Sequence, residues 1–167
     1  MALAVALAAC SPRNRDAPAE LPATPEARRE VWAAIQPLAA AHNVDPLFIY
    51  AMVRAESNFD PHARKGEAKG LLQIKPRAWR LVTRLPYESM VWSWRTNLAV
   101  GIENLADLKA ALTAKGRFSY PLLWASYDYG FDYVAAHRFE MSWIPQPSDP
   151  VADSLRSGVV HPIDPPK

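Results

Sequence analysis

Residues 45–56 read Asp45-Pro46-Leu47-Phe48-Ile49-Tyr50-Ala51-Met52-Val53-Arg54-Ala55-Glu56. An acidic cap followed by proline opens a helix, because the side chain accepts from the free N–H groups of the first turn and proline has none to lose. Ile49, Met52 and Val53 form one apolar stripe at helical spacing. Glu56 continues that stripe. A carboxylate on a face that otherwise points inward departs from the usual placing of charge. Burial disfavours the charged form, so the pKa of Glu56 is expected to be raised. A carboxylic acid still protonated near neutral pH can donate a proton to a leaving oxygen, as glycosidases require. Taken alone, the same residue also reads as a local cap or ion-pair partner at a helix end.

The same helix-opening logic applies upstream. Thr24-Pro25-Glu26 starts a helix expected to run to about Ala41, with Pro37 as a possible kink. Downstream, residues 57–70 read as a loop rich in proline, glycine and charge. Short helical stretches are expected at 71–74 and 76–84, with a break at Pro86. A longer helix is expected from about Thr96 to Ala114, with Leu98, Ile102, Leu105 and Leu108 on one face. Two more are expected at 119–128 and 130–140, separated by Gly130. No strand alternation of useful length and no internal repeat is visible. The fold class expected is mainly α, in a domain spanning residues 25–142. From Trp143 onward the chain has six prolines in 25 residues and reads as a Pro-rich tail, 143–167.

The chain of 167 residues is long enough for one domain with a real core. Its net charge is +2, with no basic run, so no nucleic-acid partner is expected. Cys10 is the only cysteine, which excludes an internal disulfide and a multi-cysteine zinc site. The histidines, at 42, 62, 137 and 161, lack ligand spacing. No metal and no cofactor is expected.

The N-terminus reads MALAVALAAC. Its apolar run is far shorter than the roughly 20 residues a membrane-spanning helix needs, and fits the hydrophobic region of an export signal. Leu7-Ala8-Ala9-Cys10 looks like a lipobox, with residues 1–9 as signal peptide and Cys10 as the lipidated residue. Residues 10–24 then form a proline-bearing tether. Ser11 after the cysteine favours, by resemblance to lipoprotein sorting, the periplasmic face of the outer membrane. A membrane partner through the lipid anchor is therefore expected.

Glu56-Ser57-Asn58-Phe59-Asp60-Pro61 is followed by Gly70-Leu71-Leu72-Gln73-Ile74-Lys75-Pro76, then Asn97-Leu98 with Gly101, then Ser126-Tyr127-Asp128-Tyr129-Gly130. In this order, over about residues 28–140, the chain resembles the soluble lytic transglycosylase domain, a lysozyme-like fold related to goose-type lysozyme. Each piece alone is weak, and the ordered set is specific. The resemblance implies a mainly α, lysozyme-like domain with peptidoglycan glycan strands as substrate. It implies Glu56 as the catalytic glutamate. It implies Ser57 beside it, bonding the glutamate or the substrate, unless it is a simple helix-end cap. Gln73 is implied to shape the sugar cleft, with a sugar hydroxyl or a backbone group as its partner. Tyr127 is implied to face the glutamate, its alternative being a core aromatic with a satisfied hydroxyl. Phe59 and Pro61 are expected to shape the loop.

The departures are specific. Leu72 stands where the family has Met, a volume-conserving change. The loop from Glu56 to Gly70 is slightly short and carries Lys65-Gly66-Glu67-Ala68 in place of a Ser-x-x-Gly-Ala pattern. Asp128 replaces an Asn. Near the cleft it would raise the Glu56 pKa further, or act as a second carboxylate. Trp92, Trp94, Trp124 and Tyr129 are candidates for stacking on sugar rings, although most such aromatics are core.

The implied reaction cleaves the β-1,4 bond between N-acetylmuramic acid and N-acetylglucosamine. Glu56 protonates the bridging oxygen, the muramic 6-hydroxyl attacks internally, and the ionised Glu56 takes its proton. The product is a 1,6-anhydromuramic end. The alternatives are a hydrolytic lysozyme-type muramidase on the same scaffold and a non-catalytic peptidoglycan-binding lipoprotein.

Overall fold

The structure, a computed structural model, describes residues 24–167. The expectations for residues 1–23, including the signal peptide, Cys10 and nearly all of the tether, lie outside the described residues.

Cap-and-proline starts open half of the described α-helices. Helix α1 (Pro25–His42) is capped by Thr24, whose hydroxyl accepts from Ala27 N at 3.2 Å. It continues through Pro37 and ends at Asn43 in the left-handed region, φ 52°. Helix α2 (Pro46–Ser57) is capped by Asp45, whose carboxylate accepts from Leu47 N and Phe48 N at 2.8 and 3.2 Å. It ends at Asn58, again left-handed. The remaining helices are α3 (Pro76–Val82), α4 (Tyr87–Met90), α5 (Trp94–Ala114), α6 (Tyr120–Tyr129), α7 (Phe131–Ala136) and α8 (Pro150–Ser157), with a 3-10 turn at Met141–Trp143.

The mainly α expectation holds, and α2 is its centre. Phe48, Ile49, Tyr50, Ala51, Met52 and Val53 are all buried, so α2 is enclosed on more than the single stripe read from the sequence. It lies against α1 and α8, while α5 packs on α1, α3 and α6. Leu98, Ile102 and Leu105 of α5 are fully buried, and Leu108 is half-buried.

The structure corrects four expectations. Residues 64–69 form a small antiparallel hairpin, β1 (Arg64–Lys65) with β2 (Ala68–Lys69), where no strand was expected. Two-residue strands are too short to show alternation. Residues 71–74 are a turn rather than a helix. Gly70 at φ 79° and Gln73 at φ 43° are left-handed there, which breaks a helix, and Lys69 exchanges backbone hydrogen bonds with Ile74. The helix expected at 130–140 stops at Ala136, because Arg138 and Phe139 have φ of 60° and 59°.

The fourth correction is the largest. The segment expected to be a tail folds onto the domain. Helix α8 packs against α2 and α6, with Ile144, Ala152 and Leu155 buried. Asp149 caps it by accepting from Val151 N and Ala152 N, and Pro150 occupies the first turn, where proline is tolerated. Arg156 donates to the carbonyls of Met141 and Ile144. The prolines here start a helix and flank it. Replacing Asp149 with Ala removes the cap and its 3.4 Å ion pair to Arg54 of α2. The expected loss is about 1–2 kcal/mol of stability, measured by urea unfolding.

Candidate active site

Glu56 is the last residue but one of α2. It is half-buried, and no hydrogen bond to its carboxyl is found among the described residues. It stands between two halves of a cleft. One half is lined by Lys65, Ala68, Gln73, Lys75, Tyr127 and Asp128. The other is lined by Ala55, Trp124, Tyr129, Pro147, Ser148 and Asp149. Glu56, Lys65 and Asp128 border both halves. Burial pushes the Glu56 carboxyl up to about 8; the charge of Asp128 adds to the rise, Lys65 and Lys75 oppose it, and Asp149 adds a smaller push. The group is therefore mostly a neutral acid at pH 7, able to donate a proton.

The turn opposite Glu56 is built by a buried polar staple. Asn97 of α5 is fully buried. Its Oδ1 accepts from Leu72 N at 2.9 Å, and its Nδ2 donates to Lys69 O at 2.9 Å and Val91 O at 3.2 Å. Gly70 lies directly on this amide, and a Cβ there would fall 2.3 Å from Nδ2. Gly101, one turn along α5, leaves room for Leu72, whose Cδ1 would be 2.4 Å from an added Cβ. The separated motif pieces around residues 70, 97 and 101 are thus one packing unit.

That unit holds Gln73 at the cleft. Gln73 Nε2 donates to Ala63 O and Gly70 O, both at 2.8 Å. Its Oε1 is buried without a partner among the described residues. Two backbone acceptors fix the amide orientation and leave the oxygen to accept from a ligand hydroxyl or N–H. Tyr127 Oη donates to Leu72 O at 2.7 Å, tying α6 to the same turn. Burial, and then the charges of Glu56 and Asp128, push its phenol well above the ordinary tyrosine value, so it stays protonated. Tyr127 therefore both borders the cleft and has its hydroxyl satisfied.

Ser57 is buried, and its Oγ donates to Val53 O at 3.0 Å rather than to Glu56. Asp128 is half-buried, and its backbone carbonyl accepts from Lys75 Nζ at 3.0 Å. Phe59 is core, and Pro61 is buried in the loop. Of the aromatic candidates, Trp94 is core, Trp124 is a buried ring that forms part of the cleft floor, and Tyr129 lines the cleft. Trp92 is half-buried outside it, with Arg64 and Lys69 over its ring. Among the described residues no group of three or more His, Cys, Asp or Glu side chains is placed to hold a metal ion.

A family model described as "Transglycosylase SLT domain" matches residues 33–140, the stretch carrying Glu56, the staple and Tyr127. The chain belongs to the SLT domain family. Among solved structures it is similar to lytic transglycosylase Slt from Pseudomonas aeruginosa, determined as an inactive mutant, at 20% identity and a TM-score of 0.56. That match covers 77% of this chain and 22% of the Pseudomonas chain, so this SLT protein spans about a fifth of its length. At such identity the likeness speaks for the fold. No curated protein matches the chain.

The SLT match ends at residue 140, yet Pro147, Ser148, Asp149 and Ala152 line the half of the cleft beyond Glu56. Sequence reasoning missed this wall, and it missed Lys65 and Lys75. The available signal was Asp149-Pro150, which repeats the Asp45-Pro46 cap. Asp149 is not free to react: Oδ1 accepts two backbone N–H groups, and Oδ2 faces Arg54. Asp128 is the carboxylate left beside Glu56 with no side-chain partner among the described residues.

Proposed function

We propose that the protein is a peptidoglycan lytic transglycosylase in which Glu56 acts first as acid and then as base. The observation that carries this reading is the Glu56 carboxyl, raised to about 8 and set between the two halves of one cleft. A bond lying across Glu56 would have one sugar on each side. Glu56 protonates the bridging oxygen of the β-1,4 bond, and an oxocarbenium-like state develops on the muramic sugar. The resulting carboxylate takes the proton of the muramic 6-hydroxyl as that oxygen attacks, closing a 1,6-anhydro ring. Gln73 Oε1 supplies an acceptor for a sugar donor, and Tyr127 holds the turn that presents it. Incubating purified sacculi with the protein, without added cofactor, tests the reading. Soluble muropeptides are expected; sacculi left intact would refute it.

The second reading, a hydrolytic muramidase, is favoured by one feature: Asp128 borders both halves of the cleft. In the transglycosylase reading Asp128 tunes Glu56 instead. The acid works only while protonated, so cleavage falls as pH rises through about 8. The charge of Asp128 raises the Glu56 pKa, so Asp128→Asn lowers it and moves the alkaline limb of the pH–rate profile toward acid. A hydrolase using Asp128 would instead lose its rate at every pH.

The sequence of residues 1–10 supports a lipoprotein anchored through Cys10 at the periplasmic face of the outer membrane. Palmitate labelling in cells is expected for the natural chain and is abolished by Cys10→Ser. Labelling that persists in the variant would end that reading.

A further inference from the structure

We propose that an aromatic ribbon leading away from the cleft binds the glycan strand beyond the sugars held at Glu56. This rests on the reading of the cleft as a site for a polymeric glycan. The ribbon begins inside the cleft. Tyr129 lines it, with its ring edge-on to the buried Trp124 at 6.0 Å. From there the rings continue outward. Tyr133 stacks on Tyr129 at 5.6 Å with an interplanar angle of 27°. His137 follows at 4.2 Å from Tyr133, and Trp143 at 5.9 Å from His137. Tyr133 and His137 lie four residues apart, one turn along the end of α7, and Tyr129 at the end of α6 meets Tyr133 across the break at Gly130. His137 is held in line by Nδ1 at 2.8 Å from Tyr133 O.

The outer rings are not core. Tyr133 is 36% exposed and Trp143 is 61% exposed. Large aromatics are normally covered, and a run of exposed ones continuous with a cleft marks a binding surface. A pyranose offers an apolar C–H face bordered by hydroxyls. An indole or phenol ring presents an apolar face with a polar tip, the matching chemistry. A glycan strand is far longer than a cleft that takes a few sugars, so it must leave past one of the cleft walls. The Tyr129 wall is the one that continues as aromatic surface. Tyr129 stands inside the piece Ser126-Tyr127-Asp128-Tyr129-Gly130, whereas Trp143, the outermost ring, lies beyond the residues that the family model matches.

The test measures binding of peptide-free glycan strands to Glu56→Gln protein, with and without Tyr133→Ala and Trp143→Ala. A tetrasaccharide that fills only the cleft serves as the short probe. The double substitution is expected to weaken long-strand binding about tenfold while tetrasaccharide binding stays unchanged. Trp143→Phe, which keeps an aromatic face, retains most of the affinity. Unchanged long-strand binding overturns the proposal, and so does an equal loss on both probes. Loss of binding to anionic phospholipid vesicles with glycan binding intact would assign the ribbon to a membrane surface and also overturn it. The two readings fail separately. A natural chain that binds strands without cleaving them removes the proposed activity alone. A natural chain that cleaves while the ribbon variants bind normally removes the ribbon alone.

Discussion

Glu56→Gln lowers glycan cleavage by at least about a thousandfold and leaves the protein folded. Glutamine keeps the shape of the side chain but can neither give up nor take a proton. General acid–base catalysis typically contributes about 10²–10⁴-fold, and here one group serves both steps. The fold survives because no hydrogen bond to the Glu56 carboxyl is found among the described residues. A stability signature accompanies the lost activity. The folded-state pKa of Glu56 is raised from 4.5 to about 8. The folded state therefore holds the proton more tightly than the unfolded chain. That contribution to stability is complete below pH 4.5 and is lost as pH climbs through about 8. The uncharged glutamine carries no such penalty. At pH 9 the variant is expected to melt above the natural protein, and thermal scans at pH 5 and pH 9 check this. A variant that cleaves at a near-natural rate would remove Glu56 from the mechanism.

The second large effect is structural. Asn97→Leu removes an amide that satisfies Leu72 N, Lys69 O and Val91 O in a fully buried position. Leucine is of similar size but leaves Leu72 N and Val91 O without a partner, while Lys69 O keeps only its bond from Ile74 N. Each buried unsatisfied group costs about 1–3 kcal/mol, so with two such groups the variant is expected to lose about 2 kcal/mol or more. Urea unfolding measures the loss. Because the staple fixes the turn that carries Gln73, and Tyr127 bonds the same turn, activity also falls in the fraction that stays folded. Asn97→Asp keeps the Oδ1 acceptor for Leu72 N but sets a second oxygen against two carbonyls, and it should be no better. A loss below about 1 kcal/mol for Asn97→Leu would mean that the turn is held elsewhere.

The features readable in the sequence share a physical basis. The helices whose starts were marked by Thr24-Pro25 and Asp45-Pro46 begin there, because capping is a local interaction that needs nothing from the rest of the chain. The α5 face was legible because its leucines and isoleucine repeat at helical spacing. Glu56 was legible as a carboxylate among apolar residues, and the ordered motif pieces gave it a context. What they do in the structure was not readable. Asn97, Gly70 and Gly101 had meaning only through resemblance, since their contacts join residues about 25–30 apart in the chain.

Non-local geometry explains the misses as well. The hairpin at 64–69 is too short for alternation, and the turn at 71–74 is fixed by left-handed backbone that apolar composition does not announce. Helix α8 has eight residues, and its burial of Ala152 and Leu155 depends on a groove between α2 and α6. Counting prolines in that region hid a helix start of the kind recognised at residue 45. The hydroxyl of Ser57 is bonded to Val53 O of its own helix, which matches the helix-end alternative left open in the sequence.

In the proposed reaction Glu56 completes the cleavage without water. Digestion of purified sacculi in heavy-oxygen water, followed by mass spectrometry of the released muropeptides, tests it most directly. The transglycosylase reading predicts 1,6-anhydromuramic ends that contain no heavy oxygen. Reducing muramic ends carrying the heavy isotope would contradict it, and would give Asp128 the role of activating water.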